Sequence, residues 1–179
     1  MVKAGVYMSI EIRVLVQSCD KVREKLKLLP ATHNSDYAFT DYLYQSVGVQ
    51  YNFNAEFMRI RVYHKTQWNQ KMVVLCHKRK GATEQRPVTI LQQEFDELAE
   101  AQWIIANTHR YLLRASRVGN EYSIGGVRVF VEDIKGLSPS VEVLADSWAD
   151  ANRVLEALDH DGIIHDTVPQ LLMRTMDAM

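Results

Sequence analysis

The sequence predicts an α+β domain: a largely antiparallel sheet of about eight strands, able to close into a barrel, with flanking helices. Two observations predict it. The apolar residues change period several times, in the order strand, helix, a run of strands, helix, another run of strands, helix. Such segregated runs favour an antiparallel sheet over an alternating, doubly wound one. Each strand segment also carries one apolar and one polar face, as a sheet covered on one side requires. The 179 residues, without a repeat, low-complexity stretch or Pro/Gly/Ser-rich linker, suit one domain over 1–179.

Met8, Ile10, Ile12, Val14 and Val16 alternate with Ser9, Glu11, Arg13 and Gln17, which predicts the first strand. Asp20 to Leu29 reads as a short helix, with Ser18 or Asp20 as N-cap and Pro30 beyond its end. Four strand segments follow at Tyr37 to Ser46, Phe57 to His64, Lys71 to Lys78 and Val88 to Gln93. Arg59 and Arg61 lie two apart in one of them and therefore share a face. Glu94 to Asn107 suits a helix. Strand signals return at Tyr111 to Val118, Glu121 to Ile124, Gly126 to Asp133 and Val141 to Ala145, with Gly119-Asn120 and Gly125-Gly126 as turns. Asp146 or Ser147 caps a helix reaching about Leu158, and Thr167-Val168-Pro169 opens a last short helix with Thr167 as cap. Trp103 and Trp148 fall at helical apolar positions and are expected in the core.

With 21 basic against 22 acidic side chains and a net charge of −1, no global field concentrates nucleic acid or an anionic membrane. Lys78-Arg79-Lys80 reads as ordinary solvated charge, so a nucleic-acid partner is not expected. The longest apolar runs, such as Met72 to Cys76, fall far short of a spanning helix, and no membrane association is expected. The segment Met1 to Val6 lacks a secretory core, and Cys19 and Cys76 are only two widely spaced thiols. A cytoplasmic chain with free, buried cysteines is the expectation. His160 and His165, beside Asp159, Asp161 and Asp166, match no zinc spacing. No P-loop, dinucleotide glycine pattern or nucleophile motif occurs.

A barrel with its polar faces inward would be wet and charged. Arg13, Arg59, Arg61, Lys78, Arg114 or Arg117, and Arg128 would then converge with Glu11, Glu132 and Glu142. Arg114 and Arg117 are three apart, which puts them on opposite faces of a regular strand.

Several segments, in order from about Met8 to Gly162, resemble the CYTH family of triphosphate-tunnel proteins, which includes class IV adenylate cyclases and thiamine triphosphatases. Ser9-Ile10-Glu11-Ile12-Arg13 stands where that family has Glu-x-Glu-x-Lys, and Thr40-Asp41-Tyr42-Leu43 is similar to its Asp-x-Tyr-Phe region. Met58-Arg59-Ile60-Arg61 resembles its Leu-Arg-Ile-Arg strand, and Val74-Leu75-Cys76-His77-Lys78 its Leu-Thr-x-Lys strand. The stretch from Val127 to Leu137 resembles its late strand, with Glu132 at an Asp position, and Glu142-Val143-Leu144 its closing Glu-x-Glu.

The resemblance implies a closed eight-stranded tunnel with its core at about 8–162 and a helical extension over 163–179. It further implies a triphosphate-bearing ligand, such as a nucleotide, held by Arg13, Arg59, Arg61, Lys78 and Arg117, with Arg114 and Arg128 of the inward polar faces as further candidates. Arginine forks fit phosphate oxygens. Glu11, Glu132 and Glu142 would hold Mg2+ or Mn2+ if the protein is an active phosphohydrolase or nucleotide cyclase. The departures count against turnover: Ser9 and Leu144 replace acids, and the mid-chain Arg-x-Glu-x-Glu falls at Arg86-Pro87-Val88-Thr89-Ile90. The expectation is therefore triphosphate binding with weak or absent activity, or a non-enzymatic binding or assembly module that keeps the fold, with a protein partner or homodimer left open.

Overall fold

The computed structural model describes residues 10–48, 56–65, 72–79 and 88–177. The expected positions Met8, Ser9, Lys71, Lys80, Arg86 and Pro87 lie outside them. Nine strands and four helices occur among the described residues: β1 (Ile10–Leu15), α1 (Cys19–Leu28), β2 (Thr32–Ser46), β3 (Glu56–Lys65), β4 (Met72–Arg79), β5 (Val88–Phe95), α2 (Leu98–Ile105), β6 (His109–Ile124), β7 (Val127–Ile134), β8 (Ser140–Ala145), α3 (Trp148–Leu158), β9 (Gly162–Ile164) and α4 (Val168–Asp177). The hydrogen-bonded order is β5-β4-β3-β2-β6-β7-β8-β1-β9. This is the expected antiparallel α+β architecture, with two corrections.

Among the described residues the sheet has nine strands instead of eight, and it is not closed into a barrel. The ninth strand is β9: β1 pairs with β8 along one edge and with β9 along the other, through Arg13↔Ile164, Val14↔Ile163 and Leu15↔Gly162. Gly162-Ile163-Ile164 is too short to display alternation, so it carries no strand signal in sequence.

The chain divides into two compact units. The first comprises residues 1–36, 119–133 and 138–165, and the second 37–118, 134–137 and 166–179. In the first, Ile12 and Val14 of β1, Val129 and Val131 of β7 and Val141 and Val143 of β8 present one apolar face. Val22 and Leu26 of α1 and Val154, Leu155 and Leu158 of α3 belong to the same core. Ser18 caps α1 by accepting from Asp20 N–H, and Ser147 caps α3 by accepting from Asp150 N–H at 3.1 Å. Gly125 and Gly126 make the expected turn with φ of 53° and 87°. Gly119-Asn120, expected as a second turn, lies inside the unbroken β6. Asn120 is satisfied by its side chain instead, accepting from Arg23 Nε at 2.6 Å and donating to Asp36 Oδ1 at 2.6 Å.

In the second unit, Ile60 and Val62 of β3, Val73 and Leu75 of β4 and Tyr44 of β2 pack with Ala101 and Ile105 of α2. On the other face, Leu43, Leu113 and Ala115 pack with Val168 and Leu172 of α4. Thr167 opens α4 as expected, its N–H and hydroxyl both bonded to Gln170 Oε1. The helix expected from Glu94 begins only at Leu98, because Glu94 and Phe95 still pair with Val74 and Val73.

The two tryptophans correct the core expectation: Trp103 is 80% and Trp148 58% exposed. α2 has eight residues and buries Ala101 and Ile105, so Trp103, two positions from each, lies on its opposite face. Trp148 is the first residue of α3, and helical side chains lean toward the N-terminus, away from the buried turns that follow. Cys19 and Cys76 are free and buried, as expected. Among the described residues no helix is long and apolar enough to cross a membrane.

A candidate anion site of three arginines

In the second unit, strand alternation builds a basic cluster. β2 pairs with β3 in the register Asp41↔Arg61 and Leu43↔Arg59, and β3 with β4 in the register Arg59↔Cys76 and Phe57↔Lys78. Residues opposite one another share a face, so Asp41, Arg59, Arg61 and Lys78 lie on one side. That side is the reverse of the core face holding Ile60 and Val62. β6 contributes Arg117 two positions after Ala115, a core residue of the same face.

Asp41 is the centre, only 1% exposed. Arg61 grips it with two parallel bonds, Nε to Oδ1 at 2.7 Å and Nη2 to Oδ2 at 2.8 Å. Arg117 Nη2 lies 3.6 Å from Oδ2, and Arg59 Nε 3.8 Å from Oδ1. Three guanidiniums thus face one carboxylate. The Arg61 guanidinium lies 3.6 Å from the centroid of the Phe39 ring, and that of Arg117 5.4 Å. Such stacking holds a guanidinium plane while leaving edge donors to bind elsewhere.

The electrostatics follow from this crowding. Burial opposes charge on Asp41, yet Arg61, Arg59 and Arg117 more than offset it and hold its carboxyl well below the usual range. Burial likewise opposes the Arg61 charge, and Asp41 reverses the effect. Arg59 is the exception: burial first, and then the like charges of Arg61 and Arg117, push its pKa below the ordinary arginine value despite Asp41. Among the described residues its buried Nε has no hydrogen-bond partner. A buried donor on a cation is costly to leave unsatisfied.

The remaining expected ligands are distributed differently. Arg114 is exposed and, one residue before Ala115, lies on the face opposite Arg117. Arg13, Arg128, Glu11, Glu132 and Glu142 belong to the first unit. There Arg128 Nε bonds Glu121 Oε1 at 2.9 Å, and its guanidinium lies 4.9 Å from the Phe130 ring centroid. Arg13, directly opposite Glu142 in the β1–β8 register, is bonded to Glu142, to Glu132 Oε2 at 2.7 Å and to Ser140 Oγ at 3.0 Å. Burial disfavours its charge, but Glu142 and Glu132 overcome that and tighten its hold on the proton. Glu11 is exposed and opposite Leu144.

The three carboxylates named for a divalent ion do not fit one. Two of them already share a buried guanidinium, and among the described residues no three His, Cys, Asp or Glu side chains are grouped to hold a metal ion.

Sequence reasoning missed three members of the basic cluster: Asp41, Phe39 and Tyr63, whose ring centroid is 5.6 Å from the Arg61 guanidinium. The signal was present for two of them, because Phe39-x-Asp41 and Arg59-x-Arg61 are each same-face pairs. Only the β2–β3 register brings the two pairs together.

Neither a known protein family nor a curated protein is matched by the sequence. Solved structures are. The protein PH1819 from Pyrococcus horikoshii superposes with a TM-score of 0.76 at 17% identity, over 93% of this chain and 98% of its own. A protein from Vibrio parahaemolyticus described as a “putative adenylate cyclase” gives 0.66 at 13% identity, over 92% and 97%. A chain of the Schizosaccharomyces pombe Mediator head module gives 0.52 at 11% identity, over 84% and 89%. The chain therefore has the fold of these proteins, and the likeness extends to the fold alone.

Proposed function

We propose that this protein binds a polyphosphate anion, either inorganic or carried by a nucleotide, at the Arg59, Arg61 and Arg117 cluster, and that it does so with little or no turnover. The observation that carries the reading is the buried Nε of Arg59, which has no hydrogen-bond partner among the described residues and stands beside two further guanidiniums gathered on one carboxylate. A phosphate oxygen supplies what that donor lacks. Lys78 shares the face and extends it toward the end of β4. The cyclase description of the Vibrio parahaemolyticus neighbour favours a nucleotide over a bare anion.

The absence of strong turnover follows from charge chemistry. Phosphoryl and nucleotidyl transfer are catalysed by positioning and by cations at the transferred group. Here the paired acids Glu132 and Glu142 are engaged by Arg13 instead of standing open to an ion. A second reading, a non-enzymatic assembly module, is favoured by one finding: the same fold occurs within the Mediator head module.

Calorimetric titration with inorganic tripolyphosphate and with ATP tests the proposal. Saturable binding that disappears in the folded Arg59→Ala/Arg61→Ala variant is the expected result. No heat with either ligand, or equal binding by the variant, refutes it, and the assembly reading then stands.

A further inference from the structure

The first unit holds an arrangement that is the charge inverse of the arginine cluster: one guanidinium enclosed by two carboxylates. Arg13 is 3% exposed and Glu132 4%, and both lie on the face of β1 and β7 that turns away from the valine core. Nη1 of Arg13 reaches Glu132 and the Ser140 hydroxyl, and Nη2 reaches Glu142. The geometry is imposed by the sheet. Arg13 faces Glu142 in the β1–β8 register, and Glu132 faces Ser140 in the β7–β8 register, so three adjacent strands deliver all four side chains to one place.

We propose that Arg13 is the resident cation of this carboxylate pair, occupying the place that a divalent ion takes where such acids bind metal, and that the pair is therefore closed to Mg2+ and Mn2+. Two physical arguments carry this. An ion coordinated by both carboxylates would strip Arg13 of its two charged partners, and a buried guanidinium left without them is strongly destabilising. Mg2+ also dehydrates reluctantly and keeps several waters when carboxylates bind it, whereas the Arg13 and Glu132 side chains are almost wholly withdrawn from solvent. Arginine asks for no such space: its planar fork satisfies both acids from one position. Glu11, the third acid of the expected set, is exposed on β1 and cannot compensate alone for losing the other two.

The inference does not rest on the anion-binding proposal, because it is read out with metal and without any phosphate. Full-length protein is titrated into Mn2+, and the free-ion electron paramagnetic resonance signal is followed for the wild type, Arg13→Gln and Arg13→Gln/Glu142→Gln. The wild type is expected to leave the signal unchanged at millimolar Mn2+. Arg13→Gln is expected to remove one equivalent of ion per chain, or to fold only when Mn2+ is present, and the double variant is expected to lose that gain. Wild-type binding of Mn2+ that vanishes in Glu142→Gln would overturn the proposal, as would a folded Arg13→Gln that takes up no ion. Should Arg13→Gln fail to fold under any condition, the wild-type titration together with Glu142→Gln still decides.

Discussion

Asp41 is the residue on which the basic cluster turns. Its carboxylate keeps three guanidiniums close enough to act together. Asp41→Asn should therefore move two quantities in opposite directions. Stability falls, because Arg61 loses both of its bonds to a charged partner. Affinity for tripolyphosphate rises by up to about tenfold, roughly 1.4 kcal/mol, because the site gains a net positive charge. Thermal melts with and without tripolyphosphate check both, and the ligand should restore more of the lost melting temperature in the variant than it adds to the wild type.

The pH dependence carries the same signature. The folded-state pKa of Asp41 is depressed below its unfolded value, so its contribution is fully present above the unfolded pKa of about 3.9 and is lost as pH falls through the folded pKa. Below about pH 4 the unfolded chain binds the proton that the native state refuses, and stability declines. Acid unfolding followed by circular dichroism should show a shallower decline for Asp41→Asn than for the wild type. At the alkaline end the sign reverses. Burial pushes the Cys19 thiol up to about 11, so its contribution is present at neutral pH and is lost as pH rises from about 8.5 through that value. The thiol is bonded to the Glu132 carbonyl at 3.4 Å and should react slowly with a thiol reagent at pH 8.

At the level of elements, the sequence was most readable where periodicity and capping agree. α3 shows this. Ser147, one of its two expected caps, caps it, and Ala151, Val154, Leu155 and Leu158 form its buried stripe. Ser147→Ala should cost about 0.5–2 kcal/mol in chemical denaturation, since it removes the acceptor for Asp150 N–H. Ile60→Ala, at a fully buried position of β3, should cost about 2–5 kcal/mol and serves as the core reference. Where signals were short or ambiguous, tertiary pairing decided. Glu94 and Phe95 look helical, yet pair with β4, and β9 has only three residues. Gly119-Asn120 has turn composition, but Asn120 spends its polarity on Arg23 and Asp36 inside a continuous strand.

Across the whole molecule, a net charge of −1 conceals a local separation of charge. The second unit gathers three arginines about one acid, and the first encloses one arginine with two acids. Composition averages this away, whereas strand parity keeps half of it: Arg59 and Arg61 were legible as a pair, and Glu132 and Glu142 as late acids. Their partners were not legible, because ion pairing between strands depends on register, and register is set by the whole sheet. That is why Arg13, expected beside a phosphate, is found between carboxylates, and why Asp41 was passed over as a site residue.

The most direct test of the central claim, anion binding by the arginine cluster without a divalent ion, is phosphorus NMR of tripolyphosphate titrated with the protein in EDTA and then in excess Mg2+. The predicted result is broadening of the tripolyphosphate resonances in EDTA, its loss in Arg59→Ala/Arg61→Ala, and no growth of orthophosphate after Mg2+ is added. Sharp resonances in EDTA, broadening that survives in the double variant, or steady release of orthophosphate would each contradict it.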